Sequence, residues 1–366
     1  MNKNLSFVAE IAPQFALYGD FETAAAFGNG HINDTFVSVW NQAGLKVRYL
    51  HQRINHRVFL HPEAVMENIQ RVTEHIARKL KDKPDRSCRT LTVVPARDGK
   101  PYVMDREGGW WRTYLFIEGT HSLDAPSSPA EARFLGKSIA AFQKLLADLP
   151  PPRLQETIPD FHNMEVRYRR FYQALDADAY GRVQSGSAEI AFMRENEDRG
   201  GILVQAMKTR AIPERICHND TKMNNILLPE TGDAVCVGDL DTVMPGTPLF
   251  DVGDLVRTVC TSVSEEEQDL AKVRFDLNFM QALFEGYLSE ASEFLTAEEK
   301  KLLLEAGRNI TQIMGLRFLT DYLEGDRYYH TAREGHNLDR CRNQIALIRS
   351  MDAQWRQAET VFYSLI

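Results

Sequence analysis

The chain has 366 residues, 43% hydrophobic and 26% charged, with a formal net charge of −8 at pH 7. That length can bury two cores, and the composition is that of an ordinary soluble globular protein. The negative balance offers no broad basic surface for a nucleic-acid backbone, and no apolar run is long enough to cross a bilayer, so neither partner is expected.

Two local features refine this picture. Arg167, Arg169 and Arg170 form a basic cluster that reads as a solvated helix face. Five dispersed cysteines (Cys88, Cys217, Cys236, Cys260 and Cys341) have no metal-ligand spacing and suit a reducing compartment. The N-terminal apolar stretch Phe7-Val8-Ala9 is cut by Glu10 and lacks the pattern of an export signal, so a cytoplasmic protein is expected.

In chain order, Phe27 to Phe36 reads as a turn bearing Gly28 and Gly30 that enters a strand through Val39. A turn at Asn41 to Gly44 then leads into a second strand, Leu45 to Ile54. After Pro62, residues Val65, Ile69, Val72, Ile76 and Leu80 recur at helical spacing. Leu91 to Ala96 and Pro101 to Asp105 read as a hairpin around Asp98-Gly99, and Trp110 to Ile117 as a further strand. A polar connector, Gly119 to Pro129, follows. Ser128 and Pro129 open a helix carrying Leu135, Ile139, Phe142, Leu146 and Leu149 on one face. Thr296 and Glu299 have capping-box spacing. Ile345, Ile348, Met351, Trp355, Phe362 and Leu365 predict one last helix. The pattern is α+β: a small antiparallel-sheet lobe over 1–118 with one helix, and a large, mainly helical lobe over 119–366.

The stretch carrying chemistry is His218-Asn219-Asp220-Thr221-Lys222-Met223-Asn224-Asn225, of the form H-x-D-x-x-x-x-N. Short β runs follow at Ile226 to Leu228 and Ala234 to Val237, and the second ends in Gly238-Asp239-Leu240-Asp241. Phosphoryl transfer from ATP needs one carboxylate to accept the acceptor's proton and separate oxygens to hold Mg²⁺ against the phosphates. Asp220 suits the base, and Asn225 and Asp239 the metal, with Asp241 a rival ligand.

The remaining nucleotide-side candidates lie upstream. Gly28 and Gly30 would let backbone N–H groups approach phosphate oxygens. Arg53 could hold phosphates and pair with Glu67, for which Glu63 and Glu74 compete, and Glu118 at the connector completes the ATP set. The order of these parts follows the protein-kinase succession.

These motifs resemble those of the aminoglycoside phosphotransferase and choline kinase superfamily, and within it the N-acetylhexosamine 1-kinases. The resemblance is carried by Gly28 to Phe36 (GNGHINDTF), Gln52 to Asn55 (QRIN), Met66 to Ile69 (MENI) and His218 to Asn225 (HNDTKMNN). Asp239 to Gly246 (DLDTVMPG), Arg317 to Asp326 (RFLTDYLEGD) and Arg333 to Arg340 (REGHNLDR) extend it over nearly the whole chain. It implies a two-lobed protein-kinase-like fold, ATP as donor, Mg²⁺, and the anomeric hydroxyl of GlcNAc, GalNAc or a related hexose as acceptor. It also implies that Asp251 steadies the backbone of the Asp220 loop.

Arg53 stands where protein kinases have Lys. Asn219 stands in place of Arg, and no APE-like segment is apparent; both point away from protein substrates. Polar groups for a sugar are expected among His31, Asp34, Arg317, Asp321, Tyr322, Arg333 and His336, with Asp326 and Asn337 nearby. The competing acceptors are choline, an aminoglycoside or another amine-bearing alcohol, and a nucleotide-binding pseudokinase is the non-enzymatic alternative. A monomer is expected.

Overall fold

The computed structural model describes residues 3–28, 32–123, 125–230, 233 and 235–366, with side chains from residue 7 onward. The chain forms two compact units. The first comprises Met1–His121, Asp148–Pro159 and Leu227–Met244; the second comprises Ser122–Ala147, Asp160–Ile226 and Pro245–Ile366.

The first unit is built on an antiparallel sheet. After helix α1 (Lys3–Ile11) come β1 (Asp20–Ala26), β2 (Asp34–Gln42) and β3 (Leu45–Ile54). The β2–β3 hairpin closes in two residues, Ala43 and Gly44, both at positive φ, and the Asn41 side chain accepts the Gly44 N–H at 2.8 Å. Such a turn matches the twist of the strands it joins. Helix α2 (Pro62–Lys79) follows, with Val65, Ile69, Val72 and Ile76 of the expected apolar face buried and Leu80, its C-cap, half-buried.

The hairpin expected over 91–105 is replaced by another pairing. β4 (Val93–Val94) and β5 (Val103–Met104) each pair with β6 (Trp110–Leu115) instead of with one another. Each of the two short runs is satisfied by a separate stretch of the longer strand. The sheet order is β1-β2-β3-β6-β4, and β3 pairs antiparallel with β6 so that Arg53 opposes Trp111 and Gln52 opposes Arg112.

One face of this sheet covers a core of Phe7, Phe15, Phe36, Trp40, Tyr49 and Trp111, to which α1 contributes. Each such side chain stabilises by roughly 2–3 kcal/mol through removal from water. Because side chains alternate along a strand, Arg53 and Trp111 share that core face, while Gln52, Arg112 and Tyr114 occupy the other. β7 (Thr120–His121) pairs with residues 228 and 229 further along the chain.

In the second unit, strand β8 (Arg215–Cys217) leads into the Asp220 loop. That loop ends where β9 (Ile226–Pro229) begins; from Leu227 the chain belongs to the first unit, and there β9 pairs with β10 (Cys236–Val237). The helices are α3 (Pro129–Leu146), α4 (Met164–Ala177), α5 (Ser187–Glu195), α6 (Glu197–Gly200), α7 (Ile202–Lys208), α8 (Pro248–Val259), α9 (Leu277–Ala291), α10 (Ala297–Leu323), α11 (His336–Ala353) and α12 (Trp355–Tyr363).

Ser128 caps α3, and the Thr296–Glu299 capping box of α10 makes both of its bonds. Helix α10 runs through the middle of the unit, packed by α8, α4 and α11. Helices α3 and α9 lie close because Gly136 and Gly286 face backbone: a Cβ on Gly286 would come within 1.9 Å of the Arg133 carbonyl oxygen. The single last helix expected from periodicity is two, α11 and α12, parted at Gln354. Its side chain donates to the Phe275 carbonyl at 2.9 Å, and this tertiary anchor offsets the interruption.

Candidate functional site

The Asp220 loop is shaped from beneath by a buried carboxylate. Asp251, in the first turn of α8, accepts the backbone N–H of His218 at 3.0 Å and of Asn219 at 2.7 Å, and also the Gln143 amide at 2.9 Å. Gln143 is itself fixed by the Tyr287 hydroxyl at 2.7 Å. Asn219 takes a positive φ of 65°, a conformation Asn tolerates better than most residues. His162 holds the carbonyl of Asn219 at 2.8 Å. Burial pushes the His162 pKa down to about 3, so the ring is neutral and its Nε2 carries the donated hydrogen.

Asp220 projects from this braced loop. Its carboxylate lies 3.2 Å from Lys222 Nζ, and Asn225 donates its amide N–H to the Asp220 main-chain oxygen at 2.8 Å and to its carboxylate at 3.1 Å. Burial alone would raise the pKa of Asp220, but the charges of Lys222 and His218 hold it below the ordinary carboxylate range. The group is therefore ionised near neutrality and able to accept a proton. Asn225 spends its N–H on Asp220, which leaves its amide oxygen as the donor a hard cation takes. Among the described residues no three His, Cys, Asp or Glu side chains gather as a metal cluster. An amide oxygen and a carboxylate fit Mg²⁺, which keeps waters and uses phosphate oxygens.

A pocket opens in the same unit, lined by residues of α4, α10 and the segment after α10, among them Arg167, Arg317, Asp321, Glu324, Tyr328 and Tyr329. Arg317 sits over the rings of Phe161 (4.7 Å), Tyr329 (5.4 Å) and Tyr328 (5.6 Å). Arg167 donates through Nε and Nη2 to the Phe161 carbonyl at 3.1 and 2.7 Å. Neither guanidinium has a carboxylate partner among the described residues. Burial and the neighbouring charge of Arg317 pull Arg167 down to about 10. Phe161, which meets both guanidiniums, directly precedes His162, which holds the Asn219 carbonyl, so the pocket adjoins the Asp220 loop.

Of the expected sugar-side residues, Arg317 and Asp321 line this pocket. Asp321 serves the pocket wall: its carboxylate accepts the backbone N–H of Arg327, Tyr328 and Tyr329 at 2.8–3.0 Å and the Asn337 amide at 2.9 Å. Tyr322 turns away, with its hydroxyl 2.8 Å from Ser185 Oγ and Arg182 over its ring. Arg333 pairs with Asp339 at 2.6 Å and His336 with Glu266; neither lines the pocket. Asp34 is exposed at the start of β2, and His31 lies outside the described residues.

The nucleotide-side candidates belong to the first unit. Gly28 takes a φ of 72°, which its lack of a Cβ permits, and Gly30 lies outside the described residues. Arg53 lies 3.3 Å from Asp105 on the core face of the sheet, and the expected pairing with Glu67 is not formed; Glu67 is exposed on α2. Its neighbour Asn68 is the buried one, donating to the carbonyls of Gln155 at 2.8 Å and Val243 at 3.0 Å. Glu118 pairs with Arg48, whose guanidinium lies 4.0 Å from the Phe116 ring centroid. Asp241 is buried and bonded to Arg112, and it accepts the Asn33 amide at 2.6 Å. Asp239, two residues earlier, takes the left-handed conformation at φ 50°, ψ 59°.

Several residues of these constellations are not among the sequence candidates. Lys222 carries a legible signal, an Asp-x-Lys step inside the H-x-D-x-x-x-x-N loop. Arg167 corrects the reading of its cluster as a solvated face: Arg169 and Arg170 are exposed, while Arg167 turns inward to Phe161. Tyr328, Tyr329 and Arg112 have no local pattern that marks them.

The sheet unit, the helical unit and the braced H-x-D-x-x-x-x-N loop define a protein-kinase-like phosphotransferase fold. A family model described as the APH phosphotransferase enzyme family matches residues 23–291, and the chain belongs to that family. Among solved structures it is similar to a microcompartment-associated aminopropanol kinase, at 14% identity and a TM-score of 0.64, over 96% of this chain and 98% of that one. It is similar to spectinomycin phosphotransferase in complex with ADP and spectinomycin, at 11% identity and a TM-score of 0.57, over 95% and 98%. It is also similar to choline kinase from Cryptosporidium parvum Iowa II, at 14% identity and a TM-score of 0.55, over 94% and 92%. At such identities these likenesses speak for the fold.

Proposed function

We propose that the protein is an ATP-dependent kinase that phosphorylates the anomeric hydroxyl of an N-acetylhexosamine, GlcNAc or GalNAc, or of a related hexose, releasing a sugar 1-phosphate and ADP. The family and the ADP complex of a related fold support ATP as donor. Asp220, held ionised, takes the proton from the acceptor hydroxyl as its oxygen attacks the γ-phosphorus and the bond to the β-phosphate oxygen breaks. Asn225 and Asp239 are the oxygen donors assigned to Mg²⁺, which neutralises phosphate charge when bound. We assign Asp239 over Asp241, whose carboxylate is already committed to Arg112 and Asn33.

The observation that carries the acceptor assignment is the pair of guanidiniums, Arg167 and Arg317, facing the pocket without a carboxylate partner. A cationic acceptor of the choline or aminoglycoside kind would meet like charge in a partly desolvated site, and the two carboxylates in the pocket lining are already engaged, Asp321 by backbone N–H groups and Glu324 by Arg170. Guanidiniums beside tyrosines instead suit the hydroxyl and amide oxygens of a neutral sugar. The amine reading has the names of related structures in its favour, an aminopropanol kinase and a choline kinase.

Incubation with Mg-ATP and a panel of N-acetylhexosamines, hexoses, choline, ethanolamine and aminoglycosides, read as ADP release with phosphorus NMR of the product, separates the two. An anomeric phosphate ester is the expected product. Turnover of amines without turnover of any sugar would reject the acceptor, and no turnover of any hydroxyl compound would return the pseudokinase.

A further inference from the structure

The Asp239 segment sits in a conformation that needs outside support. Asp enters the left-handed region more readily than most residues but still at a cost, which its surroundings offset. Those surroundings are visible in the first unit. Arg112 on β6, fully buried, binds the carboxylate of Asp241 through Nη1 and fixes its own orientation by donating Nε and Nη2 to Gln52 at 2.9 and 2.7 Å. Asn33, at the end of the glycine turn, donates its amide N–H to the other Asp241 oxygen at 2.6 Å. The Asn33 side-chain oxygen Oδ1 in turn accepts the backbone N–H of Asn55 at 3.0 Å, just past β3. Further on, Asn68 of α2 holds the Val243 carbonyl. One carboxylate thus gathers the residue before β2, the end of β3 and the middle of β6.

We propose that Arg112 and Asn33 are positioning residues that clamp Asp241, so that Asp239 is held in the conformation presenting its carboxylate to the metal. The proposal rests on reading Asp239 as the metal carboxylate. It explains why a cation is buried on the sheet face opposite Arg53. Arg112 touches neither phosphate nor metal, and acts through Asp241. Because Asn33 directly precedes β2, the clamp also ties the start of β2 to the metal-bearing segment.

The test is a double-mutant cycle in the full-length protein, read by electron paramagnetic resonance of Mn²⁺ binding in the presence of ADP and by thermal unfolding. Arg112→Met leaves a buried carboxylate unpaired and Asp241→Asn leaves a buried guanidinium unpaired, so each single variant weakens Mn²⁺·ADP binding by about tenfold or more. Arg112→Met/Asp241→Asn removes both charges and keeps an acceptor for Asn33, and binding returns to within about threefold of the parent.

If Arg112 contacts phosphate directly, the folded double variant stays as weak as Arg112→Met. If Asp241 is itself a metal ligand, the double variant stays as weak as Asp241→Asn. Either result overturns the proposal, and the double variant alone decides it should a single variant fail to fold. Asp239→Asn serves as the separate control: undiminished Mn²⁺·ADP binding there would remove the metal assignment itself, whatever the cycle shows.

Discussion

Asp251 and Asn219 are joined by a 2.7 Å hydrogen bond from backbone N–H to buried carboxylate, one residue before Asp220. A second bond from His218 makes the carboxylate a template for the loop. Asp251→Ala removes the acceptor for two buried N–H donors, at a cost of about 2–4 kcal/mol in stability and a further loss in turnover as Asp220 drifts. Asp251→Asn retains one acceptor oxygen but turns an N–H₂ toward a backbone donor. Its kcat is expected to fall about a hundredfold with the KM for ATP little changed. Urea unfolding and steady-state kinetics check both, and unaltered kcat in a folded Asp251→Asn variant would show that the loop keeps its shape without the template.

The Arg167–Arg317 pair makes a prediction about selectivity. Arg317→Met keeps the length of the side chain and its ring contacts but removes one charge. The KM for the sugar is expected to rise about tenfold or more, with the KM for ATP within about twofold of the parent. The same change lowers the barrier to a cation, so the ratio of choline to sugar turnover rises, and more so in Arg167→Met/Arg317→Met. A panel of acceptor kinetics on the parent and both variants reads this directly. An unchanged sugar KM would place the acceptor elsewhere.

What the sequence made legible follows the range of the interactions involved. The β2–β3 hairpin, helix α2, the capped start of α3 and the Thr296–Glu299 box are set by neighbours a few residues apart, and their pattern survives in the chain. The H-x-D-x-x-x-x-N loop is legible for the same reason. The pairing of β4 and β5 with β6 is not, because two-residue strands carry no period and their partner was chosen by the sheet. The inward turn of Arg167 is toward the carbonyl of Phe161, whose ring lies under Arg317, some 150 residues away, and nothing in Arg-Tyr-Arg-Arg marks it. Arg53 and Arg112 illustrate the limit most sharply. Both are cations on strands, and only the register opposing Arg53 to Trp111 and Arg112 to Gln52 assigns them to opposite faces.

Acid sensitivity follows from His51, buried between Ser38 Oγ at 2.7 Å and Thr113 Oγ1 at 2.8 Å. Burial pushes its pKa down to about 4. In the unfolded chain the ring binds a proton near pH 6.5, whereas in the fold it stays neutral until about pH 4. Below pH 6.5 the unfolded state holds the extra proton, so the stability present at neutral pH falls as pH drops toward 4. Between pH 7 and pH 5 the loss from this one group is about 2 kcal/mol. Chemical denaturation at both pH values measures it, and in His51→Gln the difference shrinks by about that amount. An equal pH dependence in the variant would assign the acid loss to other groups.

In the proposed mechanism Asn225 would link the base to the metal through the two ends of one amide. Its N–H contacts the main-chain oxygen and the carboxylate of Asp220, which leaves the carbonyl end for a cation. Asn225→Ala removes both at once, and the two losses have different signatures. The missing hydrogen bonds cost about 1 kcal/mol in stability, visible in unfolding. The missing metal oxygen raises the Mg²⁺ concentration for half-maximal rate by about ten- to a hundredfold, a deficit that higher Mg²⁺ partly restores. A purely structural Asn225 would lower the rate with no shift in the Mg²⁺ midpoint. Titrating activity against free Mg²⁺ at saturating ATP and sugar distinguishes the two, because only a ligand moves the midpoint while a brace for Asp220 moves the plateau.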